Sequence, residues 1–143
     1  MKLKFKDCIF CQIVKHEAPA RIVHEDELVI AILDIDPISD GHTTIIPKKD
    51  VPDIHSLDAE TGKRVMEVTK MLAGAIEKEF GFDGSMIMGV NGVFQDVPHF
   101  HLHVFGRNKS NDIKFSYPGN TNSDEEHLAK NAIRLREKIG TKN

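Results

Sequence analysis

His99-Phe100-His101-Leu102-His103-Val104-Phe105 is a stretch in which every second residue, from 99 to 103, is an imidazole and the intervening ones are apolar. Residues two apart in a β-strand share a face, with Cα atoms roughly 6.6 Å apart. The alternation therefore predicts a strand over 97–105, with His99, His101 and His103 on one side and Phe100, Leu102 and Val104 on the other. Any polar residue would serve an open strand face; three imidazoles gather groups that titrate near neutrality. Three chemistries fit such a row: a metal centre, covalent catalysis at phosphorus, or general acid and base work. Spacing alone does not choose among them. The scattered His16, His24, His55 and His127 read as structural.

Outward from the row, 85–90 forms a short strand, and before it Val65, Thr69, Leu72, Ile76 and Phe80 recur at helical spacing. Asp58 is placed to cap that helix and Gly81 to stop it. Further back, 21–24 and 28–33 read as a hairpin turned by Glu25-Asp26-Glu27, and 42–46 as a β-branched strand ended by Pro47. Residues 8–15 are short and mixed. Downstream, Ser123-Asp124-Glu125-Glu126 has the capping-box form and precedes a one-sided stripe, Leu128, Ala132, Leu135 and Ile139. That predicts a helix over about 124–139 whose stripe packs on something. The sum is an α+β fold: an antiparallel sheet of about five strands, one long helix and a C-terminal helix.

The chain's 143 residues suit one domain, and 40% apolar with 29% charged residues is ordinary globular composition. A net charge of -3 argues against a broad polyanion surface, so no nucleic-acid partner is expected. The longest apolar run, 28–33, is far too short to span a membrane, and 1–8 lacks the apolar core of a secretory signal. A cytoplasmic location is expected. Cys8 and Cys11 make a poor disulfide framework at this length; they read as a metal clip or as two buried thiols. The common glycine-rich phosphate loops and the His-Glu-x-x-His motif are absent.

The 99–105 run resembles the His-φ-His-φ-His-φ-φ signature of the histidine-triad superfamily. Four segments agree in order: Cys8-Ile9-Phe10-Cys11-Gln12-Ile13, Leu33-Asp34-Ile35-Asp36-Pro37, Gly41-His42-Thr43-Thr44-Ile45-Ile46-Pro47-Lys48, and Asn91-Gly92. The Cys-x-x-Cys segment makes the chain more similar to the Hint branch than to the Fhit branch. The resemblance covers about 7–107 and implies a single domain of the histidine-triad fold over 1–143, with the C-terminal helix as an extension.

It further implies a homodimer that binds a purine nucleoside monophosphate moiety and cleaves at its α-phosphate. His101 would be the nucleophile, His99 would orient it, His103 would meet the phosphate or leaving group, and His42 would support them. Asp34 would hold the ribose, and Ile9, Phe10, Ile13, Ile32 and Ile35 would wall the base. Asn91, Gln95 and Val97 would border the phosphate. Without the resemblance, Ile9, Ile13, Ile32 and Ile35 read as buried core and Asp34 as a turn residue.

Two departures bear on the site. Val93-Phe94-Gln95-Asp96 forms a shorter loop than the family's, ending on a carboxylate where a hydroxyl is usual, so Asp96 is expected to face away or to change the leaving-group preference. Several relatives also bind zinc through the Cys pair, the first triad histidine and a histidine where this chain has Asp50. Cys8, Cys11, Asp50 and His99 are thus the candidate ligands, the alternative being two free thiols. No cofactor is needed for the histidine chemistry itself. Competing functions are a dinucleoside polyphosphate hydrolase, a nucleotide-binding or interaction protein with little turnover, and a triad metal centre.

Overall fold

Val29–Leu33 carries no polar alternation because both its faces are covered. The computed structural model describes residues 8–110, 113–119 and 124–140, and the chain divides after Asp112 into two compact units. The first contains α1 (Ile9–Val14), β1 (Ile22–Glu25), β2 (Val29–Leu33), β3 (Thr43–Pro47), α2 (Ala59–Phe80), β4 (Gly84–Gly89) and β5 (Leu102–Arg107). Its sheet runs β1-β2-β3-β5-β4, antiparallel throughout. On one face Val29, Ala31, Ile45 and Val104 pack with Val65, Val68, Leu72 and Ile76 of α2. On the other, Ile30, Ile32 and Ile46 pack with Ile13 of α1. The α+β architecture read from the sequence is the one observed, with α1 added.

Helix α2 starts where Asp58 accepts from the Thr61 backbone N–H at 3.1 Å and ends at Gly81, whose φ of 68° suits a residue without a side chain. Of its expected stripe, Phe80 departs: it is 47% exposed, and its ring lies over Gly41, where a Cβ would collide with it. Helix α1 was not legible as a helix, since six residues are too few to show a 3.6-residue period.

The strand expected over 97–105 is shorter and later. β5 begins at Leu102, so only His103 of the three lies in the ladder. The Phe100 N–H donates instead to the Val51 carbonyl at 2.6 Å, drawing the chain away from β3. Side-chain alternation survives this, with Phe100 and Val104 in the α2-side core.

The second unit holds α3 (Glu125–Ile139). Asp124 caps it, accepting from the His127 N–H at 2.8 Å; Ser123, the expected capping residue, lies outside the described residues. No residue of α3 is buried within the single chain, Leu128, Leu135 and Ile139 being exposed. No helix among the described residues is long and apolar enough to cross a membrane.

Candidate active site

His42 enters on the approach to β3, His103 on β5 and His99 and His101 on the segment leading into β5, so neighbouring strands bring the four together. The register sets His103 opposite Thr44 and Leu102 opposite Ile45. His42, His99 and His101 are buried, at 3%, 0% and 5% exposure.

Hydrogen bonds decide which ring nitrogens carry protons. His101 Nδ1 lies 2.7 Å from the His99 carbonyl, which can only accept, so Nδ1 is protonated and Nε2 of the neutral ring carries the lone pair. The Ile38 N–H donates to His42 Nδ1 at 3.0 Å, which puts the His42 proton on Nε2. His42 Nε2–H then donates to His103 Nδ1 at 2.9 Å, leaving the His103 proton on its own Nε2. A bare imidazole nitrogen and an imidazole N–H therefore stand on adjacent rings, with His101 and His103 centroids 5.0 Å apart. The first is a nucleophile, the second a donor to an oxyanion.

Burial lowers the His42 pKa below its usual value, and Asp34 and then Asp36 oppose it. His103 is also lowered, first by burial and then by the charges of His101 and His42, against Asp34 and Asp96. Burial pushes the Asp34 carboxyl up, but hydrogen bonds from the Asp36 N–H and the Thr44 hydroxyl, with the charges of His42 and His103, bring it below the ordinary range.

The Phe10 ring meets His101 edge-on at 4.9 Å, extending the apolar wall towards the nucleophile. Ile13, Ile32 and Ile35 line an open cavity of about 620 Å³ with Asp34 at its edge. Ile13 and Ile32 are buried as expected, whereas Ile9 is 44% exposed and Ile35 wholly so, correcting their reading as core. Asn91 Oδ1 accepts from the Ile54 N–H at 3.0 Å, and Gln95 Nε2 donates to the Pro52 carbonyl at 2.9 Å. Both thus brace the loop before the triad. Val97 does so too, its carbonyl accepting from the His99 N–H. Asp96 is exposed, and its charge is the last and smallest of those that oppose the lowering at His103.

Behind the wall, His99 Nε2–H donates to the Pro47 carbonyl at 2.8 Å, so Nδ1 is unprotonated and faces Cys11 Sγ at 3.3 Å and Cys8 Sγ at 3.6 Å. Both cysteines are free thiols. Asp50 Oδ1 stands 4.0 Å from both Cys11 Sγ and His99 Nδ1, on a half-exposed side chain. Burial, then the hydrogen bond and charge of Cys8, push the Cys11 thiol up to about 12. Two sulfurs and a correctly tautomerised imidazole are donors that suit a soft, tetrahedral divalent ion. Sequence reasoning missed Thr44, whose hydroxyl donates to Asp34 Oδ2 at 3.0 Å and lies 3.4 Å from His103 Nδ1. Its place opposite His103 in the ladder was the signal.

A family model described as HIT domain matches residues 15–110. An adenosine 5'-monophosphoramidase of Schizosaccharomyces pombe is 33% identical over 122 residues, covering 83% of this chain and 89% of that protein. The crystal structure of a HIT family protein from Bacillus anthracis superposes with a TM-score of 0.83 at 34% identity, over 92% of this chain and 96% of that one. A zinc-bound histidine triad family protein from Mycobacterium smegmatis does so with a TM-score of 0.73 at 32% identity, over 95% and 99%.

Proposed function

The chain belongs to the HIT domain family, and from that premise we propose that it is a hydrolase or transferase of purine nucleotides that cleaves at the α-phosphate, nucleoside phosphoramidates being the favoured substrates. The observation that carries this reading is the fixed tautomer of His101, whose Nδ1–H is bound to the His99 carbonyl and whose Nε2 lone pair is left for phosphorus. His101 Nε2 attacks the α-phosphorus, the bond to the leaving amine breaks as the amine takes up a proton from solvent, which the water of the second step gives back, and a nucleotidyl-histidine forms. Water then cleaves that Nε2–P bond and releases the nucleoside monophosphate. His103 Nε2–H donates to a phosphoryl oxygen as charge builds there, and His42 fixes the His103 tautomer that makes this donor.

The base lies against Phe10, Ile13, Ile32 and Ile35 with Ile9 at the rim, and Asp34 faces the sugar, so binding energy comes from groups remote from the reacting phosphorus. Asn91, Gln95 and Val97 hold the loop that borders the phosphate. The likeness to a named monophosphoramidase supports the substrate class. Cys8, Cys11 and His99, with Asp50 at the open side, would hold a zinc ion whose contribution is to fix His99 and not to touch substrate. The reading includes a cytoplasmic homodimer in which the outer edge of β4, last in the sheet among the described residues, with half-exposed Ile87, meets a second copy.

The test is release of AMP from adenosine phosphoramidate by wild type and His101→Ala, with diadenosine polyphosphate as comparator. Turnover by wild type alone, faster on the phosphoramidate, is expected. Equal turnover by His101→Ala would remove the covalent step, and preference for the dinucleotide would move the enzyme to the polyphosphate class.

A further inference from the structure

The His42–His103 pair has a third member. Asp34 Oδ2 lies 3.6 Å from His42 Nε2 and 3.5 Å from His103 Nδ1, the two nitrogens being 2.9 Å apart. The carboxylate oxygen thus stands at the apex of a near-isosceles triangle on the imidazole pair. It is not simply directed outward to a sugar. It is held there from both ends: Oδ1 accepts from the Asp36 N–H at 2.9 Å, and Oδ2 from the Thr44 hydroxyl at 3.0 Å. Its side chain is only 19% exposed.

One proton fits between the two rings, donated by His42 Nε2 to His103 Nδ1. If His103 takes up a second proton, at Nδ1, the pair becomes cationic and two N–H groups converge on a 2.9 Å gap. The anionic atom within reach of both is Asp34 Oδ2. We infer that Asp34 is the positioning residue of the His42–His103 pair, compensating the charge that this pair acquires in the reaction, in addition to any contact with the sugar. The groups facing the pair are otherwise His101 and Asp96 at His103, and Asp36 at His42. Neither carboxylate bridges the two rings as Asp34 does.

The same three atoms lie within 4.8 Å of one another, close enough for a metal ion. The protonation pattern opposes that occupant: His42 Nδ1 already accepts from Ile38, so the nitrogen facing inward carries the proton, and a cation would meet an N–H.

The kinetic part of this inference rests on the hydrolase reading; the protonation part does not. The experiment is therefore double, on the full chain. Histidine side-chain titrations by ¹H–¹⁵N NMR are compared for wild type, Asp34→Asn and Asp34→Glu. Asp34→Asn keeps size and the acceptor for the Asp36 N–H, so it is expected to fold; it lowers the His42 and His103 midpoints, leaves that of His127 in place, and Asp34→Glu restores them in part. Unmoved His42 and His103 midpoints overturn the inference. A shift seen only before chelator treatment assigns the cluster to a metal and overturns it as well.

In parallel, turnover is measured on adenosine phosphoramidate and on its 2',3'-dideoxy analogue. Loss of kcat by about tenfold or more on both substrates is expected for Asp34→Asn. A loss confined to KM, and vanishing with the dideoxy analogue, leaves Asp34 as a ribose ligand alone and overturns the inference. Absence of any wild-type turnover would defeat the hydrolase reading, while the titrations would still decide the role of Asp34.

Discussion

The carbonyl oxygen of His99 holds the Nδ1–H of His101 at 2.7 Å, so the main chain of one triad member sets the reactive nitrogen of the next. His101→Ala removes that nitrogen without touching the core packing of Phe100 or Val104, and activity should fall by at least about 10³-fold. Acid-stable trapping is unsuited to a P–N bond, so the check is intact mass after a rapid denaturing quench at alkaline pH. A nucleotidyl adduct on wild type, absent from His101→Ala, is expected; the same adduct on both would displace His101 as the nucleophile.

His42 has a structural partner as well as a catalytic one. In His42→Ala the Ile38 N–H and His103 Nδ1 lose their partners, and leaving a polar group so costs about 1–3 kcal/mol in addition to the packing lost against Phe105. Urea denaturation should show a lower midpoint with unchanged m-value. An unaltered midpoint would mean that water or a neighbour replaces the imidazole at no cost.

Zinc should stabilise the wild type and leave Cys11→Ser unaffected, because the site combines the two sulfurs with His99 Nδ1. The measurement is thermal melting with and without added zinc after chelation. At a free ion concentration about 100-fold above Kd the gain is about 2.7 kcal/mol. A rise that persists in Cys11→Ser would put the ion elsewhere.

The pH dependence of stability follows from burial of His42 and His103, both held below the ordinary value of 6.5. As pH falls through that value the unfolded chain takes up protons that the native state refuses, so stability is full above about 6.5 and declines below it towards the folded-state values. The lowered carboxyls of Asp26 and Asp34 add a separate loss at more acid pH. Melting temperatures should therefore decline already between about pH 7 and 5; a flat profile there would mean that the two rings are protonated in the native protein.

Gly106→Ala should destabilise by about 1–3 kcal/mol through overpacking, since a Cβ there would overlap the Phe82 ring, itself packed against the α2-side core. Denaturant titration measures it, and a Phe82→Leu background should relieve part of the cost. Undiminished stability in the single variant would show that the ring swings clear.

Long, strongly periodic segments were legible in the sequence. The spacing of Val65, Thr69, Leu72 and Ile76 and the caps Asp58 and Gly81 are local properties, and α2 follows them. The 97–105 alternation located the histidines and their common face but not the start of the ladder. That start depends on a long-range bond, from the Phe100 N–H to the Val51 carbonyl, which no local pattern contains. For the same reason Asn91 and Gln95 could be named as border residues but not as braces to Ile54 and Pro52. Ile35 looked like core because it is apolar, yet it sits outside the sheet between two aspartates and is exposed. Thr44 became visible only once β3 and β5 were in register.

The late start of β5 carries a lesson for redesign. A ladder extended back over 99–101 would add main-chain hydrogen bonds and give a more regular sheet, an obvious aim for anyone seeking thermal robustness. It would also draw the His99 carbonyl towards a neighbouring strand and release the His101 ring to either tautomer. Such a protein would melt higher and react more slowly, and the irregularity is the part of the backbone to be left alone.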